Sequence, residues 1–330
     1  MGRYIVRRLL WVIVLVFAVV TLTFVIFSVL PSADPARLRA GRSPSPQVVE
    51  EIRHRFKLDK SIPVQYWDYI SNLVKVNFDD GINVKLNLGH SFQNDTDVSS
   101  EIFRRLPATF SLAIGGAILW LAIGIAVGTI SAIYRRSLVD RVSMTLALVA
   151  ISAPVFWLGL VALYVFADDI GKVPIFPGSG SYTGITNDPV KWFTSLILPW
   201  MVLSAAFAAI YARLLRGNLI ETMSEDYIRT ARAKGLSERK VIIRHGLRSA
   251  ITPVVSALGL DLGLLLAGNA ILTETVFNIP GIGRMSYNAI VNSDLPTIEG
   301  VVLFGALFIV VLNLVVDIAY AFIDPRVRYS

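Results

Sequence analysis

The sequence predicts an all-α membrane protein with six transmembrane helices. Composition is the first reason: of 330 residues, 54% are hydrophobic and 17% charged, whereas soluble domains carry about 25% charged residues. Six apolar runs are the second. Each approaches or exceeds the ~20 residues that a helix rising ~1.5 Å per residue needs to cross a hydrocarbon layer ~30 Å thick. The third is the placement of Lys and Arg, which crowd alternate connecting segments.

The first run, Leu9–Leu30, carries no charge. Arg3, Arg7 and Arg8 ahead of it also fit a signal peptide, but a signal core is only ~7–15 residues long. No small-x-small cleavage site follows closely, so the run is expected to stay as an anchor. The next three runs are Ala108–Tyr134, Val142–Ala167 and Phe193–Ala212. The fifth, Ser249–Thr273, is interrupted by Asp261, and the sixth, Val301–Ile323, by Asp317.

Basic residues precede the first run and follow the second (Arg135, Arg136, Arg141), the fourth (nine from Arg213 to Arg248) and the sixth (Arg326, Arg328). The alternate short connections hold Lys172, Lys191 and Arg284. Both termini are therefore expected in the cytoplasm. Segment 31–107 also carries Arg104 and Arg105, but it exceeds the ~60 residues over which the charge rule acts. The net charge of +7 thus reads as a topology signal rather than a nucleic-acid site.

Three parts follow: a tail and first span over 1–30, an external subdomain over 31–107, and a core of five spans over 108–330 with a basic loop at 213–248. The external subdomain is expected to be small and helical. Ser45-Pro46 fits an N-cap followed by the first helical position, and Val48, Ile52 and Phe56 then share one face. Pro63 opens a second helix with Tyr66, Ile70, Leu73 and Val74 on one stripe. Gly81, Gly89 and Asn94-Asp-Thr mark turns.

In the basic loop, Ser224 is expected to cap a short helix and Gly235 to end it. Ser237 would cap a further helix running into the fifth span. A short basic helix at this place either rests on anionic headgroups or docks on a soluble partner. Tyr227 and Ile228 are its only large apolar residues before Leu236, while Thr230, Ala231 and Ala233 permit close contact. That pattern favours docking.

The segment Asp226-Tyr-Ile-Arg-Thr-Ala-Arg-Ala-Lys-Gly235 resembles the EAA loop of ABC importer permeases. Gly235 stands at the glycine and Ala231 at the second alanine; Arg229, Thr230 and Arg248 replace the glutamate, first alanine and proline. This variant, completed by Arg244-His-Gly-Leu-Arg248, is similar to that of the peptide-permease branch. So are Arg3–Leu10, Asp59–Trp67, Asn87–Phe92, Arg105–Thr109, Ser152–Gly159, Glu274–Arg284, Asn313–Asp317 and Asp324–Arg326, in that order. The long first external segment resembles the B-type subunit of dipeptide/oligopeptide importers.

The resemblance implies a type I ABC importer permease fold in a cell (plasma or inner) membrane. It implies a second, similar permease subunit, two cytoplasmic ATPase subunits that bind ATP and magnesium, an extracytoplasmic substrate-binding protein, and a di- or oligopeptide substrate. It makes the loop a coupling helix, with Asp226, Tyr227, Arg229, Thr230, Ala231, Arg232, Ala233, Lys234 and Gly235 at the ATPase. The same architecture also imports nickel, glutathione or haem, and the spans do not choose among them.

Charged groups cost at least ~2.5–3.5 kcal/mol at mid-bilayer, so they face protein or water. Asp261 either lines the translocation pathway, meeting a substrate ammonium, or makes an interhelical hydrogen bond. Asp317 and Asn313 share a face of the sixth span, which suits packing. Pro154 should kink the third span, and Phe156 and Trp157 beside it form either an apolar gate or lipid-facing bulk. Glu274, Pro280, Gly281, Gly283 and Arg284 are read as an external gate or docking loop, or as a plain turn.

Chemistry of its own is not expected. No Gly-x4-Gly-Lys-Ser/Thr loop is present, so ATP hydrolysis falls to partner subunits. His-Glu-x-x-His and Gly-x-Ser-x-Gly are absent too. There are no cysteines, which excludes disulfides and thiolate metal sites. His54, His90 and His245 are scattered, so neither a metal nor a cofactor is expected. The competing class is a secondary transporter or channel. It would need no docking loop, and the inverted repeats common in such folds are not seen.

Overall fold

Backbone groups in hydrocarbon have no water to bond, which forces the apolar runs into helices. The computed structural model describes residues 2–30, 34, 36–37, 45–55, 58–77, 83–91, 93–266 and 270–323. In chain order these form α1 (Gly2–Phe24), continued by a π-helical turn Val25–Val29, then α2 (Pro46–Arg55) and α3 (Ile62–Leu73). Strands β1 (Val74–Asn77), β2 (Asn83–Leu86), β3 (His90–Ser91) and β4 (Thr96–Asp97) follow. Next come α4 (Val98–Ile133), α5 (Leu138–Ser152), α6 (Val155–Phe166), α7 (Pro189–Thr222), α8 (Asp226–Ala233) and α9 (Glu238–Lys240). A π-helical segment, Val241–Leu247, leads to α10 (Arg248–Ala250), α11 (Thr252–Leu264), α12 (Ile271–Val276), α13 (Ile282–Asn292) and α14 (Leu295–Ile323).

Among the described residues, four helices are long and apolar enough to cross a membrane: those at 7–29, 98–133, 189–222 and 295–315. Two bent pairs raise the number to six if each is one span. The third predicted span is one of these. It is not a kinked helix but two, α5 and α6, set at 101°. Pro154 lacks an N–H and pushes its predecessor out of helical geometry. Ala153 accordingly sits at φ −86°, ψ 127°, and Pro154 becomes the N-cap of α6. A second bend, of 45° between Glu238–Ala250 and Thr252–Leu264, falls at the start of the fifth predicted span.

The chain divides into two units. The first comprises Met1–Thr109, Gly263–Ile271 and Pro280–Ser330. Here α1 packs on α14, and Val20, Ile102, Ile282, Met285, Leu303 and Phe304 share a core. Phe24 holds α3 through Tyr66 and Tyr69, with ring centroids 5.2 and 5.5 Å away. Helices α2 and α3 start as expected: Val48 N donates to Ser45 Oγ at 3.3 Å, and Pro63 lies in the first turn of α3. Phe56 and the side chain of Asp317 lie outside the described residues, so their predicted faces go untested.

The external subdomain is not purely helical. Strands β1 and β2 form an antiparallel ribbon, Val74 opposite Leu86, and β3 pairs with β4. The short second ribbon is fastened to the start of α14. Ser91 Oγ and Thr297 Oγ1 donate to Asp294 Oδ2 at 2.6 and 2.7 Å, and Asn94 Nδ2 does so at 3.3 Å. Helix α13 is a further departure, because its buried stripe Ile282, Met285, Ser286 and Ala289 lies where an external gate or docking loop, or a plain turn, was expected.

The second unit comprises Phe110–Leu262 and Leu272–Ile279. Its frame is α4 against α7, brought close by glycines. A Cβ at Gly124 would lie 2.8 Å from Tyr211 Cβ, and one at Gly128 would lie 2.7 Å from the Ala212 carbonyl oxygen. Small residues four apart let helix backbones approach in membranes, where packing rather than hydrophobicity drives association. Trp120 stacks on Phe207 at 4.6 Å between centroids.

Gly128→Val should destabilise the purified protein by about 1–3 kcal/mol, the usual cost of overpacking. Gly217→Ala is the control: nothing lies within 4 Å of its Cβ position, and in mid-helix alanine gains up to ~1 kcal/mol. Thermal melts in detergent should show a lowered midpoint for the first and an unchanged or raised one for the second.

Candidate functional site

The basic loop folds as a short helix between two turns. Helix α7 ends at Met223, whose N–H reaches the Leu219 carbonyl at 2.9 Å. The Ser224 hydroxyl turns back to the Glu221 carbonyl at 2.6 Å, so Ser224 does not cap α8; Glu225 occupies the N-cap. Asp226 in the first turn and Arg232 in the last suit the helix dipole. Gly235 ends α8 at φ +77°. Its N–H bonds the Arg232 carbonyl at 2.9 Å and Leu236 N reaches the Ala231 carbonyl at 3.4 Å, the paired bonds of a Schellman turn. Ser237 stands at the N-cap position of α9, as expected, but its side chain makes no capping hydrogen bond.

Helix α8 has two faces. Ile228 and Ala231 are buried against Val241, with Met223 packed beside them. Asp226, Tyr227, Arg229, Thr230, Arg232, Ala233, Lys234 and Gly235 are exposed. Ala231 therefore serves the loop's own packing. Arg232 forks onto Glu238 at 2.7 and 3.1 Å, bracing α8 against α9 across the glycine turn. Those bonds push the Arg232 guanidinium above its already high range. An exposed pair of this kind contributes about 0.2–1 kcal/mol.

The loop hangs from a buried ion pair that the sequence did not reveal. Asp140, 4% exposed, accepts from Arg216 Nε at 2.6 Å and Nη2 at 2.7 Å. Ser131 Oγ also donates to it, as does Arg136 N at 2.8 Å. Arg136 stands at φ +67°, which aims its N–H at the carboxylate. Between this cluster and α8, Gly246 packs on the end of α7. A Cβ there would lie 2.8 Å from Met223 Sδ and 3.2 Å from Leu219 Cδ1.

Elsewhere in the same unit, Tyr211 OH donates to Asp261 Oδ2 at 2.7 Å. The interhelical hydrogen bond foreseen as one role of Asp261 is thus formed. An apolar groove of about 1090 Å³ runs among α4, α5 and α7, with Gly115, Ala122, Ala147 and Ala208 in its wall. Asp261, Pro154, Phe156 and Trp157 do not line it. Phe156 and Trp157 are exposed, at 44% and 52%.

Residues 124–329 match the family described as binding-protein-dependent transport system inner membrane component. Residues 1–113 match its N-terminal counterpart. The chain belongs to this family. This permease is 40% identical over 330 residues to the glutathione transport system permease protein GsiC of Escherichia coli K12, and 39% identical to that of Shigella boydii. Each alignment covers 100% of both chains. A chain of the inward-facing MetNI methionine ABC transporter superposes with a TM-score of 0.53, covering 68% of this permease and 96% of that chain. At 17% identity it shows the shared importer-permease fold. The permease is thus the multi-pass inner-membrane subunit of an ABC importer, a class that works with ATPase subunits.

Burial argues against much of the external docking segment. Glu274 is 0% exposed, and Gly281 and Gly283 are buried. Ile282 N, between the glycines, donates to Thr109 Oγ1 at 2.9 Å. Glu274 lies within α12, while Gly281 and Gly283 start α13; Pro280 is exposed and Arg284 half-buried.

Ile228→Ala should loosen the loop of the permease, removing a fully buried side chain from a small cluster at a cost of about 2–5 kcal/mol. Trypsin should then cut between Arg229 and Lys240 several times faster than in the wild type. Thr230→Ala, on the open face, should leave the cleavage rate unchanged.

Proposed function

We propose that this permease imports short peptides, glutathione among them, and that the open face of α8 docks on an ATPase subunit. The observation that carries the docking is the division of α8. Ile228 and Ala231 hold it in its own loop, while a basic, polar face is left uncovered at the end of a membrane-crossing helix. Full-length identity of 40% to glutathione permeases supports the substrate class, since glutathione is itself a tripeptide. In this reading both termini and α8 are cytoplasmic, and the subdomain before α4 faces a substrate-binding protein. A second permease subunit completes the pathway. ATP-driven closure of the ATPases displaces α8, and the permease responds only because the two states differ in their contacts with it.

Uptake of labelled di-, tri- and pentapeptides, glutathione and nickel should be compared in cells with and without this chain. Loss of peptide or glutathione uptake that depends on ATP and survives collapse of the proton gradient is expected. Loss of nickel uptake alone would move the substrate, and gradient-driven uptake after ATP depletion would overturn the importer reading. Separately, Arg229→Glu should lower ATPase co-purification at least about tenfold, or ~1.4 kcal/mol of interface. Undiminished co-purification would remove the docking face.

A further inference from the structure

The Asp140 carboxylate has its acceptor positions filled by four donors. Its two oxygens receive both arms of Arg216 from α7, the hydroxyl of Ser131 from α4, and the N–H of Arg136 from the turn before α5. Ser137 Oγ accepts from the Asp140 N–H at 3.3 Å, fixing the start of α5 as well. Buried pairs are poor sources of net stability, because desolvation offsets much of the attraction. What four directed, charge-assisted bonds do supply is a fixed geometry.

That geometry sits at the root of the coupling loop. Arg216 lies ten residues before Asp226 on the helix that leads into α8. The intervening Leu219 and Met223 pack under Gly246, and Met223 packs with Ile228, Ala231 and Val241. A continuous packed path therefore runs from α8 through the end of α7 to Asp140, and from there to α4 and α5. Packed elements of this kind shift as bodies rather than deform.

We infer that Asp140 and Arg216 are a positioning pair for transport. They join the end of α7, and α8 with it, to the start of α5 and the end of α4. A displacement of α8 then reaches those spans instead of being absorbed by bending at the loop. The inference rests on the docking reading of α8.

The test uses the whole importer in proteoliposomes, with ATP hydrolysis and glutathione or peptide uptake measured together. Asp140→Asn keeps the shape and removes the charge. Arg216→Lys keeps the charge and removes the fork. In each, the ATPase should co-purify at the wild-type level while the substrate carried per ATP hydrolysed falls about tenfold or more, with Arg216→Lys the milder. An unchanged ratio, whether uptake is normal or both activities fall together, overturns the inference. So does failure of both variants to assemble, which assigns the pair to folding alone. Failure of the docking reading is recognised separately, by Arg229→Glu retaining its ATPase.

Discussion

Asp140 is the point at which three helices meet. A carboxylate taken out of water must be given partners, and this one receives four donors from α4, α7 and the turn before α5. Removing one partner of such a pair typically costs about 3–5 kcal/mol, because the other charge is left buried. The close approach of α4 to α7 at Gly124 and Gly128 brings two of these three helices together. The Schellman turn at Gly235 and the small cluster around Ile228 are then built outward from the end of α7.

Much of the fold was legible because hydrocarbon imposes one rule on every span. Apolar runs of sufficient length become helices: α4, α7 and α14, and α1 with its π-helical turn, cover nearly all of four predicted runs and add turns at one end or both. Those extra turns are polar and were invisible to a length-and-hydropathy reading. Pro154 announced the break in the third span, but its size depended on Ala153 adopting extended geometry, which a kink within one helix does not require. The ribbon of β1 and β2 was missed although Val74, Val76, Val84 and Leu86 alternate with polar residues. Each strand is only four residues long, too short to stand out beside helical stripes.

The basic loop was legible where local chemistry decides it. A glycine after a basic turn marks a helix end, and Gly235 holds the left-handed conformation that it implies. The inward face was written there too, since Ile228 and Ala231 are an i, i+3 pair, yet Ala231 was grouped with the docking residues. The ion pair was not legible. Arg216 and Asp140 are 76 residues apart, and nothing in the intervening sequence ties them together. The one cue was an acid set among Arg135, Arg136 and Arg141, which the orientation rule had already accounted for as loop charges.

The family assignment and the geometry meet in α8. In the proposed reading the ATPase acts on this short helix, whose outer face is exposed while Ile228 and Ala231 hold its inner face in the loop. The most direct measurement exploits the absence of cysteine from the chain. A single cysteine is placed at Thr230 on the open face, or at buried Ile228, and each is treated with a thiol-to-amine cross-linker in membranes holding the assembled importer. Docking requires an ATPase adduct from Thr230→Cys and none from Ile228→Cys. Equal adducts from both, or none from Thr230→Cys while the ATPase stays bound, would place the interface elsewhere.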